Sequence, residues 1–260
     1  MAPSTVVRLS FEAAGIPPPM SGEDFPVLPE HSSPKAARIL EAAGQLLVAR
    51  GAKGVTIADV AQKAYVGKGT VYLYWASKEE LLLGLVGREF LTVAEVLTAE
   101  LDRDIDNARP SRFCPLALSS IGARPLVSAL QAHNDSVLGL LTDHPLSTSI
   151  YDALGPVAMA QVVVPIWREC GLARTEWDAS DQVLALHILL SGCITTASEP
   201  VLLDTPSDPI AVLARTITDV LETDDPSRDQ VEAAAVAIKK FLADGSAKVL
   251  ELISMPGAAE

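Results

Sequence analysis

The sequence predicts an all-α protein: a small amino-terminal three-helix unit followed by a large helical body. Three observations carry that reading. From Pro34 almost to the end, apolar residues recur at the three- and four-residue spacing of a helix face. No stretch alternates for long as a half-buried strand would. Helix starts are marked by short polar residues with an acidic residue three positions on, as at Thr56 with Asp59 and Ser77 with Glu80.

The elements follow in order. Residues 1–33 hold six of the 18 prolines and no apolar period, which predicts a flexible, acidic, Pro-rich arm. Pro34 suits a first helical position after Ser33, and Ile39, Ala43, Leu46 and Leu47 share one face up to Gly51. A second, short helix is capped by Thr56, buries Ile57, Val60 and Ala61, and ends near Ala64. A tight connection through Tyr65, Val66 and Gly67 leads to a third helix of about seven residues. A long fourth helix starts at Ser77 and reaches about Arg103. Two short helices joined by a tight turn and resting on a first helix form a helix-turn-helix. Val66, Val71 and Trp75 are expected on its pinned side, and Lys68, Thr70, Leu73 and Tyr74 on its outward side.

Charge follows the same division. The formal net charge is -13, yet residues 34–90 carry eight Lys or Arg against five acids, while residues 1–33 are net -3 and residues 91–260 net -13. A basic module is thus attached to an acidic body. Because charges further apart than about 8 Å are largely screened at physiological salt, such a module can grip a polyanion locally. The acidic arm is excluded as a basic minor-groove arm.

The stretch "GVTIADVAQKAYVGKGTVYLYWASKEELL" from Gly54 resembles the amino-terminal domain of the tetracycline-repressor (TetR) family of transcription regulators. The resemblance covers about Ala36 to Leu85. It rests on the cap, the turn, the Gly69-Thr70-Val71-Tyr72 run, the aromatic at 75 and the Ser77-Lys78-Glu79 start. It implies a helix-turn-helix DNA-binding domain over residues 34–80 and a helical effector-binding and dimerisation domain over residues 81–260. It further implies DNA contacts by Thr56, Lys68, Thr70, Tyr72, Tyr74 and Lys78, on double-stranded operator DNA bound by a homodimer. The chain departs from the family pattern at Tyr65, where a small residue is usual, at Gly67, where a Ser cap is usual, and at Trp75, where Phe is usual. Tyr65 stands where a positive φ is expected, which a bulky residue resists. Leu73 is a candidate for touching a thymine methyl.

Beyond residue 90 the chain is a series of helices punctuated by Pro, Gly and Asp. The stretch from Pro145 reads as one helix strained by Pro156 and Pro165. Residues 181–197 are apolar nearly all round, and the helix from Pro226 to Ala243 carries a stripe of Val231, Ala235, Ile238 and Leu242; both are expected at a dimer interface. His133, Tyr151, Met159, Trp167 and His187 are the candidates to contact a small, mostly hydrophobic effector, and His144, Cys170 and Trp177 are further candidates to line its cavity. Asp181, His187 and Cys170 have the residue types of a nucleophilic triad, but no nucleophile elbow or phosphate-cradling loop accompanies them. No metal or cofactor is expected, since no His or Cys pair has ligand spacing. The apolar runs are too short for a membrane span, and the amino end lacks the features of a signal peptide, so the expected location is cytoplasmic. The expected function is a DNA-binding regulator, a repressor released by its effector. The alternative is a small-molecule-binding protein or enzyme that keeps the helix-turn-helix as architecture.

Overall fold

Proline stands at the start of seven of the twelve described helices, at positions 29, 34, 110, 125, 145, 156 and 209. Its φ is preset for a helix and its missing N–H is one that the first turn leaves without an intrahelical partner anyway, so the punctuation of the sequence becomes the opening of elements. The structure is a computed structural model describing residues 28–131, 144–198 and 208–254. All regular elements among these residues are helical, and a lone antiparallel bridge joins Ala173 to Glu222.

The amino-terminal unit comprises α1 (Pro29–Ser32), α2 (Pro34–Arg50), α3 (Ile57–Lys63) and α4 (Lys68–Tyr72). Its core is built from Ala36, Ile39, Leu40, Ala43 and Leu46 of α2, Val60 and Ala61 of α3, and Val71 and Trp75, all buried. α1 is a departure from the expected arm: the first 27 residues lie outside the described set, but residues 28–33 are folded onto the unit. Leu28, just before this short turn, is buried, which no periodicity announced.

α5 (Lys78–Arg103) joins the unit to the body and, at 26 residues, spans about 39 Å. The expected domain boundary at residue 80 therefore falls within a continuous helix. Leu81 belongs to the amino-terminal core, whereas Leu82, Leu83, Val86, Phe90, Leu97 and Leu101 belong to the core of the body. The body adds α6 (Pro110–Gly122), α7 (Pro125–Gln131), α8 (Pro145–Leu154), α9 (Pro156–Glu169), α10 (Ala179–Ser198), α11 (Pro209–Val220) and α12 (Arg228–Ser254).

Two expectations for the body are corrected. The stretch from Pro145 is two helices, because Gly155 adopts an extended conformation and Pro156 restarts the chain as α9; Pro165 is accommodated inside α9. The stripe Val231, Ala235, Ile238 and Leu242 is no outer face: all four are buried, and α12 packs lengthwise on α5 with α8 and α9 beside it. An amphipathic stripe says only that something covers it, and here the chain's own helices do. The packing is close. A Cβ at Gly87 of α5 would sit 2.6 Å from Ile253 Cγ2, and one at Gly245 of α12 would sit 2.4 Å from Leu154 Cδ2 and 3.0 Å from the Ala153 carbonyl.

Polar groups tie the body where apolar packing ends. Glu222, 2% exposed, accepts from Arg109 Nε at 2.6 Å and from the Ser111 amide at 2.9 Å, fixing the end of α11 to the start of α6. Glu89 of α5 accepts from the Leu126 and Val127 amides of α7 at 2.8 and 3.0 Å. Burial pushes the Glu89 carboxyl above its ordinary value, against the lowering effect of those two amides and of Arg124.

Candidate nucleic-acid interface

The turn between α3 and α4 keeps the geometry that a glycine would give. Tyr65 has φ +56, the Val66 amide donates to the Ala61 carbonyl at 2.9 Å, and the Ala64 amide donates to the Val60 carbonyl at 2.9 Å. A residue in left-handed conformation spanned by such a six-to-one bond is the Schellman ending of a helix. Tyr65 accepts the strain and leaves its side chain 91% exposed. Gly67 then takes an extended conformation and caps α4 with its carbonyl, which accepts from the Thr70 amide at 2.9 Å.

α4 is pinned by Val71, fully buried, with Trp75 just beyond it at 3% exposure and Val66 packed alongside. Trp75 therefore fills the role expected of a core aromatic. The rest of the helix surface presents Lys68, exposed, Thr70, half-buried, Tyr72, 53% exposed, and Leu73, 80% exposed. α4 is five residues long rather than seven, but Leu73 continues the right-handed conformation as its C-cap.

Three of the candidate contact residues are already engaged. Thr56 and Asp59 form a complete capping box at the start of α3. The Thr56 hydroxyl donates to Asp59 Oδ2 at 2.6 Å and accepts from the Asp59 amide, while the Thr56 amide reaches the same carboxylate. That hydroxyl proton, followed by the backbone bond and Arg50, holds the Asp59 carboxyl below its ordinary value. The Lys78 ammonium donates to the Ala52 carbonyl at 3.1 Å, tying the start of α5 to the 3-10 turn after α2. Tyr74 turns inward: its ring lies 5.7 Å from that of Trp75 and its hydroxyl is 2.7 Å from Ser33 Oγ. This corrects the outward orientation that the sequence predicts for Tyr74, since the hydroxyl of the α2 cap draws it back. The four residues Lys68, Thr70, Tyr72 and Leu73 thus share the presented surface, with Thr56 and Lys78 at its flanks.

Residues 39–85 match the family model described as bacterial regulatory proteins, tetR family. Over these residues the amino-terminal module resembles that of the tetR family. A further relative of this tetR-type module is an uncharacterised HTH-type transcriptional regulator from Haemophilus influenzae, 32% identical over 75 residues. That match spans 29% of this chain and 38% of the relative. Three solved structures align over more of the chain. A tetR family transcription regulator from Shewanella sp. PV-4 is 20% identical over 81% of this chain and 97% of its own, with a TM-score of 0.43. The fatty acid degradation regulator FadR from Bacillus halodurans is 19% identical over 72% and 95%, with a TM-score of 0.49. The tetR family repressor AlkX from Dietzia sp. is 23% identical over 72% and 95%, with a TM-score of 0.38.

The tetR-type module is followed by a body in which the candidate effector residues occupy different settings among the described residues. His133 lies outside them. His187 is exposed on α10. Trp167 is fully buried, donates its indole N–H to the Ala108 carbonyl at 2.8 Å and meets Phe113 edge-on at 6.0 Å, so it is a satisfied core pillar. Met159 is buried in the same core. Tyr151 is half-buried, edge-on to Phe90 at 6.4 Å, and burial raises its hydroxyl pKa. One turn before it, Ser147 Oγ is buried with no hydrogen-bond partner among the described residues, a position the sequence did not single out. No group of three or more His, Cys, Asp or Glu residues capable of holding a metal occurs among the described residues. The stretch Pro145–Glu169 has the length and apolarity to cross a membrane, but it is divided at Gly155 and buries Ile150, Val164 and Trp167 in the core.

Proposed function

We propose that the protein is a sequence-specific DNA-binding transcription regulator that acts as a homodimer in the cytoplasm. The observation that carries this reading is the tetR-type module with Lys68, Tyr72 and Leu73 exposed and Thr70 half-buried around α4, whose Val71 is buried. In a major groove, Lys68 and Thr70 would meet base edges or phosphates from the start of the helix. Tyr72 would bond a phosphate through its hydroxyl, and Leu73 would lie against a thymine methyl. Thr56 contributes by holding the start of α3, its own hydroxyl proton being given to Asp59. Lys78 has three donor hydrogens, of which Ala52 takes one, and the others are available to a phosphate. Tyr74 acts from behind, through Ser33 and Trp75.

A dimer would place two recognition helices about 34–36 Å apart, one turn of duplex. α10 and α11 supply the surface: Leu184 and Ile188, one turn apart on α10, and Val212 on α11 are all more than half exposed. Repression and release by a small, mostly hydrophobic effector complete the reading. Its contact point on the body is α8, where Ser147 Oγ and the half-buried Tyr151 supply polar atoms in an apolar setting. Catalysis has no support: His187 is exposed, and burial with Glu169 nearby pushes the Cys170 thiol up, away from an activated nucleophile.

The test is binding to a duplex selected by the protein from a random-sequence library. Lys68→Ala is expected to weaken binding and to flatten the slope of log affinity against log salt by about one unit for each phosphate no longer neutralised, doubled in a symmetric dimer. Lys78→Ala is expected to do the same and also to lower thermal stability, because the Ala52 carbonyl is deprived of its donor. Unchanged affinity and slope in both variants would remove the recognition-helix assignment.

A further inference from the structure

Residues 28–33 cross the joint between the helix-turn-helix and α5. Leu28 is buried. Glu30 places both carboxylate oxygens on the Arg88 guanidinium, Oε2 at 2.7 Å from Nη2 and Oε1 on Nε, and both side chains are only 16% exposed. Arg88 Nη1 donates in turn to the Gly84 carbonyl at 2.8 Å. Gly84 lies against the recognition segment, since a Cβ there would be 2.9 Å from Arg88 Nη1 and 3.6 Å from Trp75 Nε1. Ser33 caps α2 by accepting from the Ala36 amide and at the same time meets the Tyr74 hydroxyl. The next residue along α5, Glu89, is held by the first amides of α7. One short segment therefore touches the start of α2, the end of the recognition segment and the third turn of α5, where the body also takes hold.

The Glu30–Arg88 pair closes a loop over residues 31–87, which is the whole helix-turn-helix. The module has its own core and is also tied to α5 by Leu81, by Leu47 and Ala52 in the body's cluster and by the Lys78–Ala52 bond, so breaking that pair would leave it folded and held by fewer ties to α5. A bidentate pair with both partners mostly buried resists rocking of the module on α5, because separating it strands two poorly solvated charges.

We propose that residues 28–33 are a brace that fixes the angle between the recognition module and α5, with Glu30 and Arg88 as positioning residues that set DNA affinity without touching DNA. The proposal rests on the DNA-binding reading above. The full chain and its Glu30→Gln and Glu30→Arg/Arg88→Glu variants are compared, with removal of residues 1–27 as the control. Two readouts are used: affinity for a duplex selected by the parent, at several salt concentrations, and backbone amide exchange of the DNA-free protein.

Glu30→Gln is expected to bind about tenfold more weakly with an unchanged salt slope, and to exchange faster over residues 68–77 while α12 stays protected. The exchanged pair recovers part of both effects, and removal of residues 1–27 changes neither. Parental affinity together with parental exchange at 68–77 in Glu30→Gln overturns the brace. So does a flattened salt slope, which would make the pair a phosphate contact, or faster exchange throughout α12, which would make it a general support of the fold. A parent that selects no duplex sinks the DNA-binding reading instead, and the exchange measurement still decides whether the module rocks.

Discussion

Tyr65 shows how a single residue can oppose its own backbone and still be held. A non-glycine residue in the left-handed region is strained by its Cβ, at about 1–2 kcal/mol, and the Schellman bond from Val66 to Ala61 imposes that conformation regardless. Tyr65→Gly is therefore expected to stabilise the protein by about 0.5–1 kcal/mol, part of the relief being offset by the greater freedom of glycine in the unfolded chain. Denaturant unfolding of the two proteins measures this, and a fall in stability would show that the exposed ring makes a compensating contact. The need for positive φ was legible through the family resemblance, in which a small residue stands at this turn position. The inward rotation of Tyr74 was not, because its partner Ser33 lies 41 residues earlier and reads locally only as a cap.

At the scale of elements, α5, α8 and α12 meet at positions where no side chain fits. Gly245→Ala improves the intrinsic helix propensity of α12, yet its methyl would meet both the Leu154 side chain and the Ala153 carbonyl. Because a backbone carbonyl yields less than a side-chain end, the net effect is expected to be destabilising by about 1–3 kcal/mol. A raised melting temperature for this variant would contradict the packing described. The attachment of α7 to α5 through Glu89 has a pH signature. A carboxyl whose folded pKa lies above its ordinary 4.5 binds protons more tightly when folded, so its contribution to stability falls as pH rises from about 4.5 through the folded value. Glu89→Gln lacks that titration. Its stability relative to the parent is expected to rise between about pH 4 and neutrality; a flat difference across that range would show that Glu89 titrates normally.

For the whole molecule, the charge asymmetry and the exposed apolar residues point in different directions from one chain. The basic excess lies in the segment 34–90 that contains α4, and the acidic body carries Leu184, Ile188 and Val212 outward. In the proposed dimer, Leu184→Glu with Ile188→Glu would bury carboxylates against their symmetry mates, which is strongly unfavourable without partners. This double variant is expected to sediment as a monomer and to bind the selected duplex far more weakly, while its helical content stays at the parental level. A variant that remains dimeric would move the interface away from α10.

The sequence by itself determined the all-α class, the helix-turn-helix and the start of each amino-terminal helix from α2 onward. These depend on residues a few positions apart: a cap and the amide three residues on, an apolar row, a proline at a first turn. The departure at Tyr65 was located through the resemblance to the TetR pattern, in which a small residue is usual there. Only the tertiary structure decided which amphipathic stripe is inside and which apolar surface is left outside. Val231, Ala235, Ile238 and Leu242 read as a candidate interface until α5, α8 and α9 are seen to cover them, while Leu184 and Ile188 on the apolar α10 stay uncovered. The same holds for the ion pair between Glu30 and Arg88. Their 58-residue separation leaves no periodicity or motif to read, and the pair exists only once the folded chain brings residue 30 against α5.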